Sequence, residues 1–123
     1  MFNISYVGQI INGTKIIEFQ INKDKILFEG EYLNGERNGK GKEYYSDGKL
    51  KFEGEYLNGK IWNGIGYNNN GDKIFEINDG KGYIKEYYFA DRLRFEGEML
   101  NGIKNGKGKE YHFNGKLDLK ENI

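Results

Sequence analysis

The sequence predicts an all-β fold, an elongated, twisted antiparallel meander of stacked β-hairpins forming a single-layer sheet. Three observations carry that expectation. The phrase FEGEYLNG stands at residues 28–35 and 52–59 and returns as FEGEMLNG at 95–102, and copies of this kind decide an architecture before any single residue does. Within a copy the residues alternate: Ile26, Phe28, Gly30 and Tyr32 share one side, while Leu27, Glu29, Glu31 and Leu33 share the other. Period two with aromatic residues on one face is the pattern of a half-buried strand. Tight-turn dipeptides then close each strand, at Asn34-Gly35, Asp47-Gly48, Asn58-Gly59 and Asn101-Gly102, where the glycine supplies the positive φ that a short hairpin needs.

The aromatic anchors Tyr6, Phe28, Phe52, Phe75 and Phe95 lie 22, 24, 23 and 20 residues apart. That step is short for a pair of helices and suits two strands and two turns. The chain therefore reads as one repeat domain over 1–123. A partial N-terminal copy spans 6–27, copies follow at about 28–51 and 52–74, a degenerate copy at 75–94 and a last one at 95–117. Taken in order, the predicted strands are 4–11, 14–21, 26–33, 40–46, 49–57, 64–68, 73–77, 81–89, 92–100, 107–113 and 116–120.

The first copy, Tyr6-Val7-Gly8 with Asn12-Gly13, is a worn version of the unit and is rich in isoleucine, which fits a sealed end or a pairing surface. The second is the fullest. Its return strand opens on Gly39-Lys40-Gly41-Lys42, and the glycines there are expected to lie bare opposite the aromatic row, so that flat rings such as Phe28 and Tyr32 cover the backbone. Gly64/Gly66, Gly80/Gly82 and Gly106/Gly108 read as the same device. Glycine weakens a strand by its entropy cost, and close approach of a ring offsets that cost. The other face carries Glu29, Glu31, Glu53, Glu55, Glu96 and Glu98 against Lys40, Lys42, Lys49, Lys51, Lys107 and Lys109, which reads as a solvated, self-neutralising ladder.

The third copy breaks the pattern. Asn58–Gly64 reads as one residue longer than Asn34–Gly39, an enlarged turn holding the only tryptophan, Trp62. The next copy has Ile77 where a glycine such as Gly30 is expected. Ile61, Trp62 and Tyr67 form the candidate partner contact, since aromatic anchors in a polar rim are the usual composition of a binding hot spot. A variant unit that alters sheet twist, with Trp62 covering an edge, accounts for the same residues. In the last copy Phe95, Gly97, Gly106 and Gly108 restore the phrase, and the tail keeps its alternation through Leu117-Asp118-Leu119-Lys120.

Composition narrows the function. Lys plus Arg and Asp plus Glu both total 19, so no net charge draws the chain to nucleic acid. There is no cysteine and one histidine, His112. No disulfide, thiolate site or cysteine nucleophile follows, and zinc lacks its usual ligands. His112 stands where the second tyrosine of Tyr44-Tyr45 stands in the earlier copy, a repeat substitution. No serine or threonine has a base arranged beside it in sequence. The glycines match no phosphate-binding loop, and Asn68–Asp72 lacks the spacing of a calcium loop. The first residues show no basic region followed by an apolar block, so no secretory leader is expected, and no run is long and apolar enough to span a membrane.

The unit resembles the MORN repeat (membrane occupation and recognition nexus). The resemblance rests on Phe28-Glu29-Gly30-Glu31-Tyr32 with Gly39-Lys40-Gly41, on Phe52-Glu53-Gly54-Glu55-Tyr56 with Gly64-Ile65-Gly66, and on Phe95-Glu96-Gly97-Glu98-Met99 with Gly106-Lys107-Gly108. Tyr6-Val7-Gly8 matches in part. The phrase Tyr-Tyr-x-x-Gly-x-Leu is also similar to a bacterial, antitoxin-like subgroup. The resemblance implies an extended sheet of hairpins and a repeat-only module with no catalytic domain attached. The expectation is a non-enzymatic protein-interaction or scaffold module without cofactor or metal. The alternatives are a phospholipid-associated module and an antitoxin-like inhibitor of a partner protein. Another protein is the expected partner, with a homodimer through an edge strand or an end, or a phospholipid surface, as further options, and nucleic acid is disfavoured. The expected location is cytoplasmic or peripheral to a membrane.

Overall fold

The computed structural model describes residues 4–11, 15–20, 25–88 and 90–122, with side chains described for 26–88 and 90–117. Among these it holds eleven strands: β1 (Ile4–Ile11), β2 (Lys15–Gln20), β3 (Lys25–Leu33), β4 (Glu36–Tyr44), β5 (Leu50–Leu57), β6 (Lys60–Tyr67), β7 (Lys73–Ile77), β8 (Gly82–Tyr88), β9 (Arg92–Leu100), β10 (Ile103–Tyr111) and β11 (Leu117–Asn122). Every pairing between chain neighbours is antiparallel, so the fold is the all-β hairpin meander that the sequence predicts. The side chains of the N-terminal copy and its turns at 12–14 and 21–24 lie outside the described residues. Its backbone places Tyr6 opposite Glu18 in the β1–β2 ladder.

Two turn types alternate. Asn34-Gly35, Asn58-Gly59, Asp79-Gly80 and Asn101-Gly102 all have positive φ at both residues, from 49° to 84°. This is the two-residue hairpin turn whose twist matches that of the flanking strands. Pairing resumes at once, with Leu33 opposite Glu36, Leu57 opposite Lys60 and Leu100 opposite Ile103. The strands predicted to start at 40, 64 and 107 therefore start four residues earlier, at Glu36, Lys60 and Ile103. On the opposite side the loops are three residues long. Gly48, Gly71 and Gly115 donate N–H to the carbonyls of Tyr45, Asn68 and His112 at 2.9–3.0 Å, and Tyr45, Asn68 and His112 donate to Lys49, Asp72 and Lys116 at 2.8–2.9 Å.

A row of glycines crosses the first sheet. Gly30 stands opposite Gly41, Gly41 opposite Gly54, and Gly54 opposite Gly64. Rings lie on this bare backbone. A Cβ on Gly41 would come within 2.5 Å of the Phe28 ring and 3.0 Å of Tyr56, and one on Gly54 would collide with the Asn63 carbonyl oxygen. In the second sheet Gly97 faces Gly108 beneath Phe95. The ring over Gly41 is joined by Tyr56, not by Tyr32. Phe28 meets Tyr32 and Tyr56 edge to face at 6.0 and 5.2 Å, contacts worth roughly 0.5–1.5 kcal/mol each beyond burial. Gly39 and Gly106 lie under carboxylates, those of Glu31 and Glu98, instead of under rings. At Gly39 the strand bulges, and Glu31 accepts the N–H of Lys40 at 2.7 Å.

The register corrects three alignments. Gly64 faces Gly54 as Gly41 faces Gly30, and Gly66 faces Phe52 as Glu43 faces Phe28. Gly64 is therefore the counterpart of Gly41, and the third copy is one residue shorter than the second, not longer. In the second copy Glu31 is spanned by Asn38, Gly39 and Lys40, whereas in the third only Trp62 is left unpaired, between the Glu55–Asn63 and Tyr56–Ile61 pairs. Trp62 thus sits in a bulge within β6, outside any turn. Gly80 belongs to a turn, with Asp79, and is not the partner of Gly82 in a strand.

The meander is divided between two sheets, β1–β7 and β8–β11. Only the Asn78–Lys81 bridge joins β7 to β8. The reason lies in the glycine row, where Ile77 faces Gly64 and Ile84 faces Gly97. Both isoleucines are buried, at 0% and 3% exposure, and side chains of that size cannot occupy the bare strip that flat stacking requires. The β7–β8 hairpin opens instead. Ile77, Ile84, Phe95 and Met99 make a second core beside that of Phe28, Tyr32, Phe52 and Tyr56, and Ile61 and Phe75 pack against both.

Candidate functional site

Opening the β7–β8 hairpin leaves a cleft of about 240 Å³ between the sheets, with Phe52, Ile61, Phe75, Ile84 and Met99 on its apolar walls. Ile61 reaches this position through the register. Arg37, Ile61 and Lys104 face Tyr32, Tyr56 and Met99 at the same point of three copies. The two cations lie over rings, Arg37 at 4.2 Å from the centre of Phe28 and Lys104 at 4.0 Å from that of Phe95. In the middle copy a branched aliphatic chain takes that place and bridges the two cores.

The rim is polar. Glu43 and Glu86 occupy corresponding places, facing Phe52 and Phe95. Glu43 accepts the Tyr56 hydroxyl at 2.7 Å and pairs with Arg37 at 3.1 Å. Glu86 pairs with Arg94 at 3.2 Å and with Lys104 at 3.1 Å. Lys51 stands 5.8 Å from the centre of the Tyr45 ring. The Tyr45 hydroxyl donates to the Tyr67 carbonyl at 2.6 Å, and burial, then the neighbouring Tyr87, Asp91 and Asp47, pushes its pKa up. Each rim carboxylate is thus engaged by cations, and the arrangement suits the binding of a chain or ligand better than proton transfer.

The three candidate contact residues do not converge on one spot. Ile61 and Tyr67 line the cleft. Trp62, half-buried, packs on the Asp79-Gly80 turn, its ring within 2.6 Å of a Cβ placed on Gly80, and its carbonyl accepts the Gly80 N–H at 2.8 Å. The cleft residues that the sequence reading missed, Glu43, Ile74, Ile84 and Glu86, look like ordinary strand positions; only the opening of β7 from β8 brings them together. On the outer face Glu29, Lys42 and Glu53 stand in one row, with Lys42 to Glu53 at 3.7 Å. The ladder is as expected for Glu29, Lys42 and Glu53, whereas Lys51, expected on the same face, lies at the cleft beside Tyr45. Among the described residues no group of three or more His, Asp or Glu side chains is placed to hold a metal ion, and no helix is long and apolar enough to cross a membrane.

The geometry defines a repeat protein of stacked hairpins whose distinctive part is the break between its two sheets. Compared with family models, the chain carries the MORN repeat at residues 28–49 and again at 95–116. Those matches cover most of β3, β4 and its following loop, and most of β9, β10 and its following loop, so a MORN repeat stands on either side of the break. MORN repeats are in general non-catalytic modules for interaction with proteins or membrane lipids. Comparison with curated proteins and with solved structures gave no match.

Proposed function

We propose that this chain is a non-enzymatic protein-interaction module and that its partner enters the cleft between the two sheets. The observation that supports this reading is the one departure from regular stacking. Ile77 and Ile84 replace glycine, the hairpin opens, and a cleft is left in which the half-buried Ile61, Ile74 and Phe75 adjoin the buried Phe52, Ile84 and Met99 beside a cationic rim. An apolar patch with a polar border is the usual composition of a contact surface. Tyr67 and Ile61 belong to this contact, and Trp62 supports it from behind. A cytoplasmic setting is part of the proposal and accords with the cysteine-free composition.

The test is affinity capture from the source cells with the wild type, Ile74→Glu, Lys51→Glu and the control Leu57→Glu. Ile74 and Lys51 line the cleft, and Leu57 is exposed beside a turn and does not line it. Loss of a captured protein with both cleft variants, but not with the control, at similar melting temperatures, is the expected result. Equal capture by all four proteins would sink the proposal. Sedimentation with anionic vesicles at physiological salt distinguishes the lipid alternative, and the protein is expected to stay in the supernatant.

A further inference from the structure

The cleft is bordered by the edge of a strand. Ile84, Lys85, Glu86 and Tyr87 all line it in succession. Successive residues of a strand point to opposite faces, so four in a row can border a cleft only where the strand is seen edge-on. Among the described residues β8 pairs with β9 and β7 with β6, and nothing pairs between β7 and β8 beyond Asn78 and Lys81. Asn78 and Lys81 exchange both of their hydrogen bonds, each at 2.9 Å. In an antiparallel ladder the main-chain groups of alternate residues face the same neighbour. The N–H and C=O of Lys85 and Tyr87 therefore face the gap, whereas at the start of β8 Gly82 still lies against the Glu76 carbonyl.

The gap is held open from both sides. Were the hairpin to continue, Phe75 would stand opposite Ile84. Phe75 is instead stacked on Phe52 with ring centres 6.2 Å apart, and Ile84 is buried in the second core. A row of unpaired donors and acceptors beside an apolar wall is the surface that takes up an extended peptide by strand addition. The charge of the rim selects the peptide. Four cations, Lys51, Lys85, Arg94 and Lys104, border the cleft against two carboxylates, Glu43 and Glu86. Arg94 and Lys104 are both spent on Glu86, and Glu43 is held by Arg37, which leaves Lys51, beside the Tyr45 ring, and Lys85, opposite Glu96 in the β8–β9 ladder, as the cations outside those ion pairs. Lysine on an edge discourages indiscriminate pairing, and here it favours an acidic strand.

We propose that the free edge of β8 accepts an extended acidic segment of a partner protein, which adds as a strand along Ile84–Tyr87 and turns its alternate apolar side chains into the cleft. This deepens, and rests on, the partner-binding reading of the same cleft. The probes are three end-capped synthetic peptides of seven residues, the length of β8. One alternates glutamate with valine, the second alternates lysine with valine, and the third is the glutamate peptide N-methylated at alternate amides. Binding is followed by amide exchange and chemical shift in the intact chain. The glutamate peptide is expected to bind at least tenfold more tightly than either of the others and to slow exchange at Lys85 and Tyr87. Lys85→Pro, which removes an outward N–H and spares the β8–β9 ladder, is expected to weaken it at least tenfold, while Lys85→Gln weakens it less. Equal binding of the N-methylated peptide, or binding of none, overturns strand addition. If Ile74→Glu still abolishes partner capture, the cleft reading survives that failure. Protection of the β8 edge in the absence of peptide, together with a dimeric mass by light scattering, would assign the edge to a second copy and would also overturn the proposal.

Discussion

Glu29 and Glu96 hold the same position in two copies of the unit, and each accepts a phenol from the strand that follows. Tyr44 donates to Glu29 at 2.6 Å and Tyr111 to Glu96 at 3.2 Å. A phenol beside a carboxylate cannot ionise without placing two negative charges together. Burial first, then the hydrogen bond to Glu29, pushes the Tyr44 pKa up from 10.0 to about 12. The sign of the linkage follows. A group whose pKa is higher in the folded state contributes fully below its unfolded value and loses that contribution as pH climbs towards the folded one. Between pH 10 and about 12 the wild type should therefore lose stability faster than Tyr44→Phe, which has nothing to ionise at that position. Urea midpoints measured across this range for the two proteins decide the matter, and parallel curves would mean that the phenol is not held by Glu29. The aromatic alternation was legible in the sequence. This pair was not, because its members are fifteen residues apart and meet only through the register of β3 against β4.

Hairpins are where the sequence spoke most clearly and where one of them departs from its own rule. Asn-Gly and Asp-Gly marked the turns, because few residues other than glycine and asparagine accept positive φ. The pairing restarted earlier than the glycines suggested, since a two-residue turn leaves no slack before Glu36. The shortened third copy was misread for a related reason: which glycine belongs to the row depends on how many residues bulge, one at Trp62 or two more opposite Glu31, and repeat spacing alone does not say. The β8–β9 turn is the exception. It has no glycine, and Ala90 and Asp91 sit at φ of 61° and 53°. Asp91 has local compensation, accepting the Asn70 side-chain amide at 3.1 Å. Ala90 has only its Cβ, which costs roughly 1–2 kcal/mol in the left-handed region. Ala90→Gly removes that cost and adds back part of it as unfolded-chain entropy, for an expected net gain of about 0.5–1 kcal/mol. Thermal melting of the two proteins measures it, and an unchanged or lower melting temperature would show that the turn carries no strain.

At the scale of the molecule, the replacement of glycine by isoleucine at two positions of the row, Ile77 opposite Gly64 and Ile84 opposite Gly97, converts a single stack into two cores that must be held together. Ile61 and Phe75 are the half-buried side chains that touch both. Phe75 spans the junction most directly: its ring stacks on Phe52 of the first core, lies over Gly66, and comes from the strand that ends in Ile77 of the second. Repeat proteins gain their cooperativity from such neighbour contacts rather than from one central core. The repeats were legible because each carries its own pattern; the junction was not, because it consists of the positions where the pattern fails. If Phe75 is the coupling, the wild type opens as one unit, and the amides of Gly41 in the first sheet and Gly108 in the second exchange with the same free energy. Phe75→Ala should then cost about 2–4 kcal/mol overall and also separate the two exchange free energies, the two sheets now unfolding as distinct units. A uniform loss of protection at both glycines would leave the cores coupled through Ile61 and the stacked turns, where Gly102 donates its N–H to the Gly80 carbonyl at 3.0 Å and Gly80 to that of Trp62 at 2.8 Å.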